Sequence, residues 1–355
     1  MQIGNTQIGL DHPPYIIAEI GVNHDGDVER ALSLTDAAAE AGADAVKLQF
    51  FETDRLMSKA AKLAAYQKNA GETDPIEMLR RLELSIDEMA RVVERAHERG
   101  IHAIVTVFST ELVEAAETLA WDAYKTASPD IVNRPLLEAL AATGKPMIVS
   151  TGASEADEVR RARLWLDDQK EQLGFLQCVS NYPTADEDAN CGVCSHLRAI
   201  VKPCVYGYSD HTVALATGQA ARGYGATIFE KHFTDDTMRH GPDHLASLTV
   251  DQFAKYVMMT KAERDDFEPG SVLMPLMGTD GKKRVLDCER DVREVSRQSV
   301  VSTRAIALGE KITRDMLTIK RPGTGILAYR LDEVVGSVAK RAIEADVPIA
   351  EEDLA

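Results

Sequence analysis

The chain of 355 residues has no hydrophobic run long enough to cross a membrane and no start typical of a secreted protein. Spanning a bilayer takes roughly 18 to 20 consecutive apolar residues, and no segment reaches that length. The first residues, Met1 to Asn5, have neither the basic start nor the apolar stretch of a signal peptide. We therefore expect a cytoplasmic protein without a membrane segment.

Basic charge is also scarce. The 40 Lys and Arg residues are outnumbered by 57 Asp and Glu residues, and the formal net charge is -17. Nucleic-acid binding requires a basic face, so we do not expect a nucleic-acid partner. An anionic small-molecule substrate is not excluded, because a few clustered lysines can make the charge of one pocket positive.

Cysteines are few and odd in number: Cys178, Cys191, Cys194, Cys204 and Cys288. Without a secretory signal, this pattern predicts reduced thiols rather than disulfides. Cys191 and Cys194 form a CxxC, but no second pair exists to complete a zinc site. Zinc or redox use is the alternative; we interpret the two cysteines as incidental residues near the start of a helix.

What the chain does have is a regular alternation of strands and helices. Eight short runs have strand character: Tyr15–Ile20, Ala45–Phe50, His102–Phe108, Ala123–Thr126, Pro146–Ser150, Gly174–Val179, Val205–Ser209 and Ala226–Lys231. Segments whose apolar residues have helical spacing lie between these runs. They are Asp27–Ala41, Ser154–Leu173, Val213–Tyr224 and a segment that begins with a capping box at Ser85. This rhythm is typical of a (β/α)8 TIM barrel, although a doubly wound sheet has the same local signature.

Polar residues at one end of the predicted strands favour the barrel. These residues are Glu19, Lys47, Gln49, Lys125, Ser150, Ser180, Ser209, His211, Glu230 and His232. Charged groups within apolar strands are costly unless they are paired or face a polar site. Barrels gather their chemistry at the carboxyl ends of the strands, so one ring with a site in its mouth explains the pattern. The long segment Glu52–Leu84 then becomes a lid or rim insertion.

The pattern changes after the eighth strand. Arg304–Ile306 and Ile312–Leu317 recur as Arg341–Ile343 and Ile349–Leu354, with an offset of 37 residues. Two short β-rich halves folded on each other predict a small second domain that must pack on the barrel or on a partner subunit. We therefore assign residues 1–267 to the barrel, 268–298 to a linker and 299–355 to the second domain.

Two histidines indicate a metal site. His211 and His232 each end one of two consecutive apolar runs, and parallel neighbouring strands are about 4.8 Å apart. Their imidazoles can therefore converge on one cation, with water and substrate as the remaining ligands. The alternative is a pair of ordinary core histidines. Imidazole and oxygen ligands suit manganese, iron, cobalt or zinc equally well on these grounds.

Two lysines indicate an anion site. Lys47 and Lys125 lie in the middle of apolar strands, where a solvated face does not explain them. An internal salt bridge is the alternative. Ammonium groups beside hydroxyls satisfy phosphate or carboxylate oxygens, and the hydroxyls available are Ser128, Ser150, Ser180 and Ser209. Glu19 and Asp130 are candidate acid or base groups.

Several longer motifs resemble those of the N-acetylneuraminate (sialic acid) synthase family. They are Ala18–Gly26, Tyr66–Gly71, Leu82–Ser85, Ser150–Gly152, Cys178 with Asn181–Thr184, Gly207–Thr212, Glu230–Thr234, Gly241–Asp243 and Lys320–Gly323. The resemblance covers nearly the whole chain in order. The segment from Ser299 is similar to the antifreeze-like (SAF, β-clip) domain that ends those enzymes.

The resemblance implies a barrel enzyme that condenses phosphoenolpyruvate with an N-acylated hexosamine-type aldose. By that resemblance, phosphoenolpyruvate contacts Lys47, Lys125, Ser128, Ser150, Ser180 and Ser209. The sugar lies near Glu19, Tyr182, Asp243 and Arg321. His211 and His232 match the ligands of a divalent cation, usually Mn²⁺, with Mg²⁺ or Co²⁺ as alternatives. Glu19, Lys125 and Asp130 are the expected catalytic groups, and Arg321 is expected to reach the barrel of the partner in a homodimer.

One motif departs from the family pattern. Ala127 and Pro129 flank Ser128 where relatives of this type carry glycines, and proline has a fixed φ and no N–H. Any backbone contact that the glycines supply is therefore altered, while the serine and Asp130 are kept. The expected product is a nine-carbon 2-keto acid sugar plus phosphate. The alternatives are a synthase for a different sugar, such as a pentose phosphate, and a catalytically silent barrel that binds acidic sugars.

Overall fold

The computed structural model describes residues 1–262, 275–278 and 280–355, and its eight central strands close into one parallel barrel. The strands are β1 (Gln2–Ile3), β2 (Thr6–Gln7), β3 (Tyr15–Glu19), β4 (Ala45–Phe50), β5 (His102–Val107), β6 (Ala123–Thr126), β7 (Met147–Ser150), β8 (Leu173–Cys178), β9 (Val205–Asp210), β10 (Ile228–His232), β11 (Ser299–Ser302) and β12 (Leu317–Lys320). Strand β10 pairs with both β9 and β3, so the barrel has no free edge. The predicted (β/α)8 barrel is confirmed, and the doubly wound sheet was the wrong alternative.

Helices surround the barrel and cover its rim. They are α1 (Val28–Glu40), α2 (Thr53–Leu56), α3 (Ala65–Asn69), α4 (Pro75–Arg80), α5 (Ile86–Glu98), α6 (Val113–Ala116), α7 (Arg134–Ala142), α8 (Ala156–Trp165), α9 (Val193–Val201), α10 (Thr217–Gly223), α11 (Val250–Lys261), α12 (Arg290–Ser296) and α13 (Leu331–Val334). No helix of the described residues is long and apolar enough to cross a membrane.

Helix starts follow the capping residues of the sequence. The Asp27 side chain accepts from the first backbone N–H groups of α1, and Ser85 forms a reciprocal capping box with Glu88 at the start of α5. The predicted helix Ser154–Leu173 is too long. Helix α8 ends at Trp165 and a 3-10 turn follows, because Leu173 is already paired with β7 as the first residue of β8.

Apolar side chains fill the end of the barrel interior at which the strands begin. Ile17, Ile104, Ile148, Leu176 and Ile228 point inward and form one apolar cluster with residues of the N-terminal hairpin β1–β2, which covers that end of the barrel. This hairpin was not predicted, since each of its strands has only two residues. The cavity left inside the ring therefore opens at the carboxyl ends of the strands.

The segment between β4 and β5 forms a rim over that open end, as predicted for Glu52–Leu84. It contains α2, α3 and α4, and its apolar side chains pack together beside the barrel mouth. The members of this cluster, which we call the rim cluster, are Val22, Phe51, Leu56, Met57, Leu63, Met78, Leu79, Leu82 and Phe108.

The C-terminal domain is built from the internal repeat. Ile306 and Ile343, which occupy equivalent positions in the two copies, exchange backbone hydrogen bonds of 2.9 Å in each direction. The repeated apolar positions form one small core, and β11 pairs antiparallel with β12. The predicted boundary between residues 267 and 268 lies outside the described residues.

Candidate active site

One layer of polar side chains forms the floor of the cavity inside the barrel. Side chains two residues apart on a strand share a face, so each inward apolar residue is followed by an inward polar one, as Ile17 is by Glu19 and Ala45 by Lys47. The same step places seven of these side chains on the cavity floor: Glu19, Lys47, Thr106, Lys125, Ser150, Ser209 and Glu230. The alternation of side chains along a strand therefore explains why the polar residues predicted at the strand ends lie together on the cavity floor.

The cavity is open on one side, and its empty space together with the solvent at its mouth amounts to about 900 Å³. All but one of the predicted site residues line it. These are Glu19, Lys47, Lys125, Ser128, Ser150, Ser180, Tyr182, Ser209, His211, His232, Asp243 and Arg321. Residues from all eight barrel strands or the loops that follow them, the rim and the C-terminal domain therefore meet at one place.

The two lysines are held by carboxylates of neighbouring strands. The Lys47 ammonium contacts the Glu19 carboxylate and lies 3.9 Å from Glu230, and Lys125 lies 3.4 Å from the same Glu230. Burial lowers the pKa of Lys47 to about 7, although Glu230 acts in the opposite direction. The internal ion pairs that we weighed as an alternative therefore exist, and they hold both lysines at the cavity.

Hydroxyl groups cluster beside the lysines. The Ser128 hydroxyl donates to Ser150 Oγ at 2.9 Å and accepts from the Gly152 N–H at 3.0 Å. Ser180 Oγ is buried without a hydrogen-bond partner. A Cβ atom at Gly152 would lie 2.7 Å from Ser128 Oγ, so only glycine fits here. These donors surround a small space that suits the oxygens of an anion.

The two histidines face each other at the end of β9 and β10. Their ring centroids are 5.3 Å apart. His211 Nδ1 donates to the Val179 carbonyl at 2.7 Å, which leaves its Nε2 lone pair available. His232 Nδ1 is buried with no hydrogen-bond partner, 3.7 Å from the Asp243 carboxylate.

This pair of histidines fits a divalent cation. Burial, together with His211 and Lys47, lowers the pKa of His232, which favours the neutral imidazole that metals bind. Within the described residues no group of three or more His, Cys, Asp or Glu side chains is arranged to hold a metal. A site of two protein ligands, with the other positions left for water and substrate, stays a prediction.

Aromatic rings shape the wall above the histidines. Tyr182 packs between Tyr66 and His211, with centroid distances of 4.8 and 4.1 Å. Tyr182 was predicted to contact the sugar, whereas Tyr66 had no predicted role although it begins one of the recognised motifs. Tyr66 comes from α3 of the rim, so only the fold brings the two rings together.

Asp130 is the predicted site residue that the structure does not bring to the cavity surface. It lies in the 3-10 turn Ser128–Val132, fully buried, and neither carboxylate oxygen has a hydrogen-bond partner. Burial raises its pKa to about 7, while the positive charge of Arg321 acts in the opposite direction. Asp130 therefore faces the arginine from behind the cavity wall rather than the reactants.

Arg321 approaches the barrel of its own chain. Its backbone N–H donates to the Leu56 carbonyl at 2.9 Å, and its guanidinium lies 5.5 Å from the centre of the Phe108 ring. The loop after β12 packs directly on α2 of the same chain. The contribution of Arg321 to the barrel of a partner in a homodimer stays a prediction.

Three further residues support the site and were given no role from the sequence. Glu230 interacts with both lysines and had a sequence signal, since it lies two residues before His232 within a strand. Gly152 follows from the Ser150–Gly152 motif. Glu289 had no signal: its carboxylate accepts from the N–H groups of Ala153 and Ser180 at 2.6 and 2.8 Å, across more than one hundred residues. It orders the two loops that carry the hydroxyl cluster.

Known proteins are similar to this chain over most or all of its length. A solved structure of the spore coat polysaccharide biosynthesis protein SpsE from Bacillus subtilis is 31% identical, with a TM-score of 0.85, and covers 100% of this chain and 99% of its own. The N,N'-diacetyllegionaminic acid synthase of Legionella pneumophila is 36% identical over 333 residues, 91% of this chain and 89% of that protein. The human N-acetylneuraminate-9-phosphate synthase is 32% identical over 97% of this chain and 94% of its own length.

Comparison of the chain with models of protein families points to the same group of proteins as these relatives. Residues 34–265 match the NeuB family, and residues 297–355 match the SAF domain. The first match covers most of the barrel, and the second covers the repeat that forms the C-terminal domain. The chain therefore belongs to the NeuB family and ends in a SAF domain.

Proposed function

We propose that the protein condenses phosphoenolpyruvate with an N-acylated hexosamine-type aldose, such as N-acetylmannosamine or a related bacterial sugar. The products are a nine-carbon 2-keto acid sugar and phosphate. One observation carries the proposal: buried lysines, a hydroxyl cluster and two facing histidines share a single cavity. Relatives named as synthases of sialic and legionaminic acids support the same reaction class.

Phosphoenolpyruvate binds at the floor of the cavity in this proposal. Lys47 and Lys125 neutralise its carboxylate and phosphate, and hydroxyls of Ser128, Ser150, Ser180 and Ser209 donate to the anionic oxygens. The ion pairs with Glu19 and Glu230 fix the ammonium groups before the substrate arrives, so little side-chain entropy is lost on binding.

His211 and His232 hold a divalent cation in this proposal, with Mn²⁺ preferred and Mg²⁺ or Co²⁺ as alternatives. When bound, such a cation supplies Lewis-acid polarisation of the sugar aldehyde. Tyr182 and Asp243 contact the sugar beside the histidines, and Arg321 donates to its N-acyl oxygen from the C-terminal domain.

The bond changes balance with water as the third reactant. The C=C π pair of phosphoenolpyruvate forms a bond from the methylene carbon to the aldehyde carbon, the C=O π pair moves to the aldehyde oxygen, and water adds to the neighbouring carbon. Glu19, which lines the cavity beside Lys47, accepts one proton of that water and returns it to the aldehyde oxygen, which becomes a hydroxyl. The carbon–oxygen bond to phosphate then breaks, with Lys125 beside the leaving group, and the hydroxyl left on that carbon loses its proton to phosphate and becomes the keto group.

Phosphate release tests the proposal. We expect release from phosphoenolpyruvate only when an N-acyl aldose and a divalent cation are both present, with a chelated sample and a sample without sugar as controls. Release with a pentose phosphate alone would favour the synthase for a different sugar. Binding of acidic sugars without any release would favour the silent barrel.

The assembly and location are part of the proposal. A homodimer is implied by the family resemblance, and light scattering of the full chain tests it. The same resemblance implies that the C-terminal domain reaches the partner's barrel in this dimer, and that arrangement is part of the proposal. All five cysteines are free thiols, which supports a reducing cytoplasmic location.

A further inference from the structure

The loop between β7 and α8 supports the hydroxyl cluster and is strained at one residue. Ala153 has a φ of 48°, in the left-handed region that favours glycine. For an alanine this conformation is disfavoured by a factor of roughly 5 to 30 in population. Gly152, the residue before it, donates its N–H to Ser128 Oγ at 3.0 Å. The strained residue therefore lies directly beside a contact of the hydroxyl cluster.

The backbone of Ala153 is held on both sides by one segment of the chain. Its N–H donates to the Glu289 carboxylate at 2.6 Å. Its carbonyl accepts from the guanidinium groups of Arg293 and Arg297, from the latter at 2.8 Å. Ala153 and Arg297 are each 3% exposed, and Glu289 is 1% exposed. Hydrogen bonds to charged groups are strongest where water is excluded, so these contacts offset the unfavourable φ.

The same carboxylate reaches the loop that follows β8. Glu289 Oε1 also accepts from the Ser180 N–H at 2.8 Å, while its Oε2 accepts from the Leu286 N–H at 2.9 Å. Beside it, Lys283 Nζ donates to the Cys178 carbonyl at 3.4 Å. One buried group thus fixes the loops after β7 and β8 relative to each other, and each loop contributes a hydroxyl or an N–H to the anion end of the cavity.

The two arginines have a carboxylate partner of their own. Arg293 donates twice to Glu158, at 2.8 and 2.9 Å, and Arg297 donates to the same carboxylate at 3.2 Å. Glu158 lies in the first turn of α8, the helix that follows the strained loop. The positions of both guanidinium groups are therefore set by a regular element, and the loop conforms to them.

We propose that Glu289 is a positioning residue for the phosphoenolpyruvate end of the cavity, which it shapes by holding Ala153 in the left-handed conformation. This inference rests on the proposed function. Neither residue is among the described residues that line the cavity, so Glu289 acts through the loops and does not contact the substrate. Glu289 belongs to the segment that leads from the barrel to the C-terminal domain, so the packing of that segment controls the affinity for phosphoenolpyruvate.

Calorimetric titration of the full chain with phosphoenolpyruvate, with Mn²⁺ present and without sugar, tests this. Glu289→Gln keeps the shape of the side chain, but it removes the charge and sets an amide N–H against the Leu286 N–H. We expect Kd for phosphoenolpyruvate to rise at least about fivefold, the lower end of the penalty for a left-handed alanine. Asp287→Asn is the matched control, because Asp287 lies in the same segment with its side chain 90% exposed. Its Kd should stay within about twofold of wild type.

Ala153→Gly separates this role from a general loss of structure. Glycine adopts a positive φ without the steric penalty, so the loop then needs less support from the carboxylate. We expect Ala153→Gly alone to change Kd less than about twofold, and to recover at least about threefold of the affinity in the Glu289→Gln background. A variant that is merely less stable would show no such recovery.

The outcomes separate this inference from the proposed function. Wild-type protein that binds no phosphoenolpyruvate overturns both. Equal affinity in wild type and Glu289→Gln, or a loss that Ala153→Gly does not restore, overturns the role of Glu289 and leaves the proposed synthase in place. Should Glu289→Gln not fold, Arg293→Met removes one donor to the Ala153 carbonyl. We expect weaker binding and the same recovery by Ala153→Gly, and their absence overturns the inference equally.

Discussion

At the scale of residues, the site depends on charges that the barrel keeps out of water. Lys47 has its amine against Glu19 and donates to Thr106 Oγ1 at 3.1 Å. Removing water strengthens each of these interactions, but it also penalises the charged form of any group that lacks a partner. Protonation of a single lysine can therefore control the affinity for an anionic substrate.

The first prediction is a pH dependence that comes from Lys47. Burial lowers the pKa of this lysine to about 7, so its positive charge is present below that pH and is lost above it. We expect kcat/KM for phosphoenolpyruvate to fall above pH 7, approaching about tenfold per pH unit.

The control for this prediction is Lys47→Arg, because a guanidinium stays charged across the whole range. Its profile should lack the fall that begins near pH 7, whatever its absolute rate. A fall of equal size in both proteins would show that another group causes it.

The second prediction concerns the metal ligands. Changing residues that merely support metal ligands costs about 10- to 100-fold in affinity or activity, so His211→Ala and His232→Ala should each cost more than about 100-fold. Calorimetric titration of the metal-free protein with Mn²⁺ measures binding separately from phosphate release. His12→Ala, at an exposed position, is the control. Full Mn²⁺ affinity in both site variants would contradict the assignment.

At the scale of elements, β9 and β10 are tied together behind the cavity. Asp210 and Lys231 are paired in register, their side chains are fully buried, and their charged atoms lie 2.8 Å apart. Lys231 also donates to the Thr212 carbonyl at 2.6 Å. Since each residue of the pair directly precedes a histidine of the site, the ion pair fixes the spacing of His211 and His232.

The third prediction concerns this ion pair. Lys231→Met leaves the Asp210 carboxylate buried without its partner, which typically costs about 3–5 kcal/mol. We expect a loss of that size in the free energy of unfolding, measured with urea. Adding Asp210→Asn to the same variant should restore most of it, because neither buried charge then remains.

The control is an exposed pair. Lys170 lies 3.7 Å from Asp167, and the two side chains are 42% and 52% exposed. Lys170→Met should therefore change the free energy of unfolding by less than about 1 kcal/mol. A similar loss at the buried and the exposed lysine would refute a special role for the ion pair.

At the scale of the whole molecule, the C-terminal domain completes the cavity. The Arg321 backbone bonds to Leu56 and Ser58, and Lys59 bonds to Asp346, so the rim and this domain form one wall. The chain between residues 262 and 275 lies outside the described residues, whereas α12 and the segment before it pack on the loops after β7 and β8.

The fourth prediction asks which chain supplies Arg321. Arg321→Ala should weaken turnover of the sugar, and His211→Ala should abolish it. If Arg321 completes the cavity of its own chain, a mixture of the two variants should recover no activity beyond their sum. Affinity-tagged and untagged chains show whether subunits exchange in the mixture.

Recovery of activity in the mixture would show that Arg321 acts in the partner's barrel. If each arginine served the partner's barrel in a symmetric dimer, the mixture would contain intact sites and would regain on the order of a quarter of wild-type activity. Such recovery, with exchange demonstrated, would establish the exchanged arrangement that the resemblance implies.

Much of the site was predictable because strands have a fixed period. Ile17 and Glu19, or Ala123 and Lys125, must share a face wherever the strand lies. Three other features are likewise local properties of the chain: the polar residues at the carboxyl ends of the strands, the capping residues of the helices and the internal repeat. The histidine pair followed from one further rule, since consecutive strands of a parallel unit are neighbours.

The sequence by itself thus determined the eight strands, their polar carboxyl ends and the repeated C-terminal halves. Only the tertiary structure decided that β10 closes on β3, that Asp130 lies behind the wall and that Glu289 orders two distant loops. The physical reason is that the first group depends on backbone geometry over a few residues. The second group depends on contacts between residues far apart in the chain, which packing of the whole molecule selects.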